Sequence, residues 1–345
     1  MPLRAGRVAT LSCAVFLAVG PGEASAQSSS PLFQSTQTLT LQIRGDLRGL
    51  ARDKGEKRVE HPALLRFWSG ADSGSVQVDL RTRGIFRLKR CPFPPIRIDF
   101  PTKKVANTVF ADQDKIKLVT HCQSDRLFER NLLKEYALYR VFNALTDTSF
   151  RVRLAHITYI DTSRADTTVR YGILVESDKE VARRLHADVV EMQRVHDMVI
   201  DANYMTLVAL FQYLIGNTDW SVWGRHNIAI FSDTATHRLF ALPYDYDFSG
   251  AVNAPYATPA EQLPIKTVRE RIYRGYCQPD SVLARALARF RAAKDSMYAA
   301  VHAVDGLEPR DAKAILDYFD DFFTIIDNRG QADREFARGC RKLEQ

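Results

Sequence analysis

Apolar and polar positions alternate through much of the first half of the chain and recur at helical spacing through the second. After a polar stretch at 27–36 (QSSSPLFQST), read as a flexible tether, period-two alternation runs through Leu39, Leu41 and Ile43 and again through Val76, Val78 and Leu80. IRIDF (96–100) and KIKLV (115–119) extend the pattern, which predicts that the first half begins as an antiparallel sheet. Residues 126–145 interrupt it, with Leu132, Tyr136 and Tyr139 at helical spacing and charges between them. RVRLAHITYID (151–161) and TTVRYGILVE (167–176) then read as two strands joined by a polar turn.

From residue 201 the character changes. DANYMTLVALFQYLI (201–215) is apolar nearly all round, so a helix here must be buried. IAIF (228–231) and RLFAL (238–242) read as a short hairpin around SDTATH, and two further helices are expected near 281–303 and 310–327. Strands with one inserted helix, followed by helices, give an α+β fold in two lobes. The expected boundaries are a β-rich lobe over 37–180 and a helical lobe over 181–345. No internal repeat interrupts this plan.

The N-terminus changes the setting. Arg4 and Arg7, an apolar run from Val8 to Val19, and Ala24-Ser25-Ala26 before Gln27 have the three zones of a cleavable export signal, with cleavage near Ala26. The run is too short to span a bilayer, and no later stretch is long and uncharged enough to do so, so a soluble periplasmic or extracellular protein, read as a monomer, is expected. Cleavage leaves about 319 residues of the 345, enough for one large two-lobed domain. A formal net charge of +7 suits anionic ligands, but the basic residues are scattered and no basic arm argues for nucleic acid. With Cys13 in the leader, Cys91, Cys122, Cys277 and Cys340 remain. An even number in an exported chain favours two disulfides, and Cys91–Cys122 with Cys277–Cys340 is the most local of the three pairings. No Cys-x-x-Cys or clustered Cys/His spacing supports zinc.

The chemistry is concentrated in GNTDWSVWGRHNIAIF (216–231) and RLFALPYDYDFSG (238–250). Asn217, Asp219, His226, Asn227, Asp245 and Asp247 all fall where apolar elements end, a costly clustering unless something binds there. The hairpin brings Asn227 towards Asp245, and such oxygen donors suit Mg²⁺ or Mn²⁺ better than zinc. An aspartate to orient a hydroxyl, an asparagine and then an aspartate to hold metal is the order that phosphoryl transfer requires. Asp219 and Asn227 are eight residues apart and no His-Arg precedes the aspartate, so this is not an ordinary protein kinase.

The GN-x-D, HN and YDYDFSG segments resemble the atypical kinase-like fold of the CotH spore-coat kinases and, more distantly, of HipA-type kinases. The resemblance is tight over about 211–250 and looser over 76–176. It implies that Asp219 is the catalytic aspartate, Asn227 a metal ligand, and Asp245 or Asp247 the metal-holding aspartate. It further implies ATP with Mg²⁺ or Mn²⁺ and an acceptor hydroxyl on an unknown protein. A kinase-like site needs a strand lysine held by a helical glutamate; Lys117 is the candidate lysine, and Glu135 or Glu129 the glutamate. Arg83 and Gly84 in LRTRGIF resemble the Arg-Gly turn of the CotH proteins, which approaches phosphates, and Glu176 falls where a connection between lobes would hold adenine. His226 reads as a support for the loop, Trp220 and Trp223 as packing, and Arg269, Arg271 and Arg274 either as an anion-binding surface or as a solvated basic helix. The rival readings are a pseudokinase-like binding module that lacks turnover and a metal-dependent phosphohydrolase.

Overall fold

In the computed structural model, Met1 and residues 29–342 are described, so the expected leader lies, Met1 apart, outside the described residues. Seven strands close into a barrel: β1 (Leu39–Gly45), β2 (His61–Ser69), β3 (Asp72–Thr82), β4 (Ile96–Asp99), β5 (Lys115–Val119), β6 (Val152–Asp161) and β7 (Asp166–Val175), in the order β1-β2-β3-β4-β5-β7-β6. Alternate residues point inward, as period two requires: Leu39, Leu41 and Ile43 on β1, Ala63, Leu65 and Phe67 on β2, and Val76, Val78 and Leu80 on β3 are all buried. The sheet differs from the expected antiparallel one in its closure, because β6 joins β1 in parallel. Closure removes the exposed edges that β1 and β6 would otherwise present to solvent.

Short helices decorate the barrel: α1 (Pro31–Gln34), α2 (Leu47–Arg52), α3 (Phe86–Arg90) and α4 (Thr102–Val105). The first corrects the expected tether, since Leu32 and Phe33 are buried in the barrel's core and anchor residues 31–34. A long helix, α5 (Arg126–Leu145), separates β5 from β6. After α6 (Asp178–Arg184) come a three-stranded sheet of β8 (Ala187–Val190), β9 (Ile228–Asp233) and β10 (Leu239–Pro243), and the helices α7 (Ala202–Ile215), α8 (Asp280–His302) and α9 (Pro309–Asp327).

Two apolar cores result. One fills the barrel; the other joins α7, α8, α9 and the β9–β10 hairpin to α5 and to Val152, Leu154, Ile173 and Val175 of β6 and β7. Thus α5, expected with the β-rich half, packs on α8 of the helical half. The expected boundary at 180/181 falls inside α6. α7 is buried from Val208 to Ile215, and Gly216, at φ +65°, stops it. A side chain there would suffer the left-handed backbone and collide with the Tyr318 hydroxyl. The break delivers the Asn217–Asn227 loop at the end of the most apolar helix.

Both disulfides join the expected partners, Cys91 to Cys122 and Cys277 to Cys340. They are compatible with export, and no helix among the described residues is long and apolar enough to cross a membrane.

Candidate functional site

The loop after α7 is held by its own polar side chains. Asn217 donates to Gln212 and accepts from the Asp219 amide at 3.0 Å each. The Asn227 amide donates to the Asp219 carbonyl at 2.8 Å and to its carboxylate at 3.0 Å, and His226 Nε2 lies 2.8 Å from the other carboxylate oxygen. This contact raises the His226 pKa. Asn227, at φ 52°, and Asp245, at φ 64°, both occupy the left-handed region, where non-glycine residues are strained and cluster at functional sites. Tyr244 N donates to Asn227 O at 3.0 Å, extending the β9–β10 pairing, so Asn227 and Asp245 sit beside one another at the hairpin's open end.

A second group of charges meets this end. Glu135 and Tyr139, four residues apart on α5, share a face. Tyr139 Oη accepts from the Asp245 amide at 2.7 Å. Arg87, on α3 between β3 and β4, donates to Glu135 at 3.3 Å and to Asp245, and lies 3.5 Å from Asp247. Three carboxylates therefore share one guanidinium whose side chain is 11% exposed, while Glu135 and Asp247 are 2% and 6% exposed and Asp245 36%. Of the three acids, Asp245 is the most accessible.

The electrostatics follow from this inequality. Burial raises Glu135 to about 8 and, with the Asp245 charge adding to it, Asp247 to about 7. Burial also pushes Asp245 up, but Arg87 and then Arg83 outweigh it, and its pKa falls. Burial would lower Arg87; Asp245, Asp247 and Glu135 together raise it instead. Tyr256 donates to Asp247 at 3.0 Å, and Glu135 Oε1 is buried without a partner.

Of the residues singled out in the sequence, Asp219, Asn227, Asp245, Asp247 and Glu135 are linked through these contacts, with Arg83 close enough to Asp245 to affect its charge. Gly84, at φ +92°, makes the turn that leads into α3. Lys117 does not meet Glu135. Its ammonium pairs with Asp178 at 2.9 Å and lies 5.5 Å over the Tyr244 ring. Glu129 accepts from the Tyr171 amide, away from the acids. Glu176 is buried, with both oxygens on Arg184 at 2.9 and 2.8 Å and one also accepting from the Arg151 amide at 2.9 Å. Arg269, Arg271 and Arg274 form no solvated helix: they donate to the carbonyls of Gly250, Tyr213 and Thr218, among others, and brace the loop. Sequence reading missed Arg87. A glutamate embedded in the apolar face of α5 requires a cation, but spacing alone does not choose between a strand lysine and a turn arginine.

Among the described residues no group of three or more His, Cys, Asp or Glu is arranged to hold a metal ion. Asn227 adds an amide oxygen that such a grouping leaves aside. With the accessible Asp245 carboxylate it offers the hard oxygen donors that Mg²⁺ or Mn²⁺ takes, so the residues present fit such an ion in chemistry.

No family model matches the chain, and no curated protein matches it significantly. Among solved structures, the crystal structure of the Helicobacter pylori proinflammatory kinase CtkA is similar with a TM-score of 0.42 and 9% identity over 70% of this chain and 94% of that one. At that TM-score the similarity decides neither fold nor function.

Proposed function

We propose that the chain is an atypical kinase-like phosphotransferase, with the barrel and the helical half acting as two lobes around the site. The observation that carries this reading is the convergence of an Arg87–Glu135 ion pair on Asp245, beside the Asp219–Asn227 loop. Phosphoryl transfer is mostly a matter of positioning and charge neutralisation, and these are the groups it requires. Asp219, anchored by Asn227 and His226, orients the acceptor hydroxyl and takes its proton. Asn227 and Asp245 would hold Mg²⁺ or Mn²⁺, which would supply charge against the phosphates of ATP. Arg87, fixed by Glu135, and Arg83 meet the phosphates, taking the part expected of Lys117. Lys117 lines the nucleotide side, with Asp178 and Tyr244. The acceptor is a protein hydroxyl, and the two disulfides, with the export signal expected from the sequence, favour work outside the cytoplasm.

A second reading draws on the same arginine. Arg87 already neutralises the acids, which favours a pseudokinase-like module that binds nucleotide without turnover. A thermal-shift titration with Mn²⁺ and ATP tests the binding shared by both. Wild type is expected to be stabilised and Asp245→Asn much less so; no stabilisation by any nucleotide with Mn²⁺ contradicts both. Bound nucleotide with no transfer to any protein favours the module.

A further inference from the structure

A cavity of about 400 Å³ is lined by His196, Trp220, Trp223, Arg274, Tyr276 and Arg341, and Trp220 in its wall follows Asp219 in the chain. We infer that this cavity is the docking subsite for an acidic segment of the acceptor protein, which rests on the phosphotransferase reading above.

The walls are aromatic. The His196 ring lies 6.3 Å from Trp223 and 5.6 Å from Tyr276, and the Arg341 guanidinium stacks 4.4 Å over Tyr276 while donating to its hydroxyl at 2.9 Å. Trp223 is 52% exposed, so it is not the packing residue its sequence context implies. Trp, Tyr and Arg, all present in this lining, are the residues enriched at binding hot spots.

The polar groups are mostly donors. Trp220, which follows Asp219 in the chain, is 3% exposed, and its indole N–H has no partner. An indole can only donate, so this buried group lacks an acceptor. Arg274 is spoken for by the carbonyls of Thr218 and Trp220, but Arg341 is exposed and its guanidinium has more N–H groups than the one given to Tyr276. Asp197, the acid in the wall, is 8% exposed, burial raises its pKa, and it stands as one acid against two arginines. A carboxylate would give the exposed Arg341 guanidinium the acceptor it lacks, since guanidinium forks suit carboxylates. Tyr276 and Arg341 are held side by side by a β-bridge next to the Cys277–Cys340 disulfide, so the subsite is built before the acceptor arrives.

The test uses three short peptides with one central serine flanked by Glu, by Gln or by Lys, and reads their binding to the oxidised protein by tryptophan fluorescence without nucleotide. The Glu peptide is expected to bind at least tenfold tighter than the Gln peptide. Arg341→Gln and, separately, Trp223→Ala are each expected to remove most of that preference; both side chains are exposed, so the fold should survive. Equal binding of the Glu and Gln peptides, preference for Lys, or preference unchanged in both variants overturns the inference. Because nucleotide is absent, the two readings fail separately. A protein that prefers the Glu peptide but transfers no phosphate contradicts the phosphotransferase alone, and one that phosphorylates all three peptides equally contradicts the subsite alone.

Discussion

Replacing Arg87 with Met removes the guanidinium that Glu135, Asp245 and Asp247 share while keeping much of its volume. Asp245 is 36% exposed and rehydrates cheaply, so the cost falls on Glu135 and Asp247, which are nearly inaccessible. Stranding a buried charge costs about 3–5 kcal/mol. Protonation limits that cost, because each acid escapes its charge at about 1.4 kcal/mol per pH unit above its unfolded pKa. Because Glu135 and Asp247 titrate at about 8 and about 7, their ionisation between pH 5 and pH 8 accounts for about 2 kcal/mol, so the penalty should be about 3–5 kcal/mol at pH 8 and smaller by about 2 kcal/mol at pH 5. The wild type has a related dependence. Glu135 and Asp247 are raised in the folded state, to about 8 and about 7, so they bind protons that the unfolded chain has lost. Their stabilising contribution is complete below the unfolded pKa values and is lost as pH rises through 7 and 8. Asp245, which is lowered, contributes in the opposite sense, losing stability as pH falls through its folded value. Urea unfolding of wild type and Arg87→Met at pH 5 and pH 8, with the disulfides intact, measures all of this. A loss below about 1 kcal/mol at pH 8, or one equal at both pH values, would refute the shared-cation reasoning.

Two further outcomes follow from the same geometry. The His226 imidazole titrates above its ordinary value because it bonds to Asp219, so the contact's contribution is present below about 6.5 and lost as pH rises through the raised value; an NMR titration should show Asp219→Asn bringing His226 back towards the ordinary value, and an unchanged value contradicts the pairing. Replacing both Cys277 and Cys340 with Ser opens a loop with a sequence separation of 63 residues, which loop-closure entropy values at about 4 kcal/mol; a change in urea midpoint equivalent to less than about 1 kcal/mol would mean that the bridge does not constrain the unfolded chain.

Much of the α+β fold was legible because burial has a period. Leu39, Leu41 and Ile43, or Leu132, Tyr136 and Tyr139, announce their element through neighbours a few residues away. The parallel β1–β6 closure was not, since two strands more than a hundred residues apart leave no local mark of their register. β2 has the same alternation at Ala63, Leu65 and Phe67, although HPALLRFWS places its apolar residues unevenly enough to hide it. In the site, Asp219, Asn227, Asp245 and Asp247 were legible because polar residues interrupt apolar runs at element ends. Arg87 was not, being one of several basic residues in RGIFRLKR whose importance depends on which of them reaches Glu135 across the fold. The pairing of Glu176 with Arg184, eight residues on, was not legible either, since nothing in the spacing shows that the two meet in the interior.

The most direct measurement is transfer of labelled γ-phosphate from ATP, with Mn²⁺ or Mg²⁺, to protein by wild type and by Asp219→Asn. Asp219 is partly exposed, and Asn keeps most of the loop's hydrogen bonds, so the variant should fold like wild type. Labelled protein is expected from the wild type and none from the variant. Equal labelling by both proteins would contradict the phosphotransferase reading.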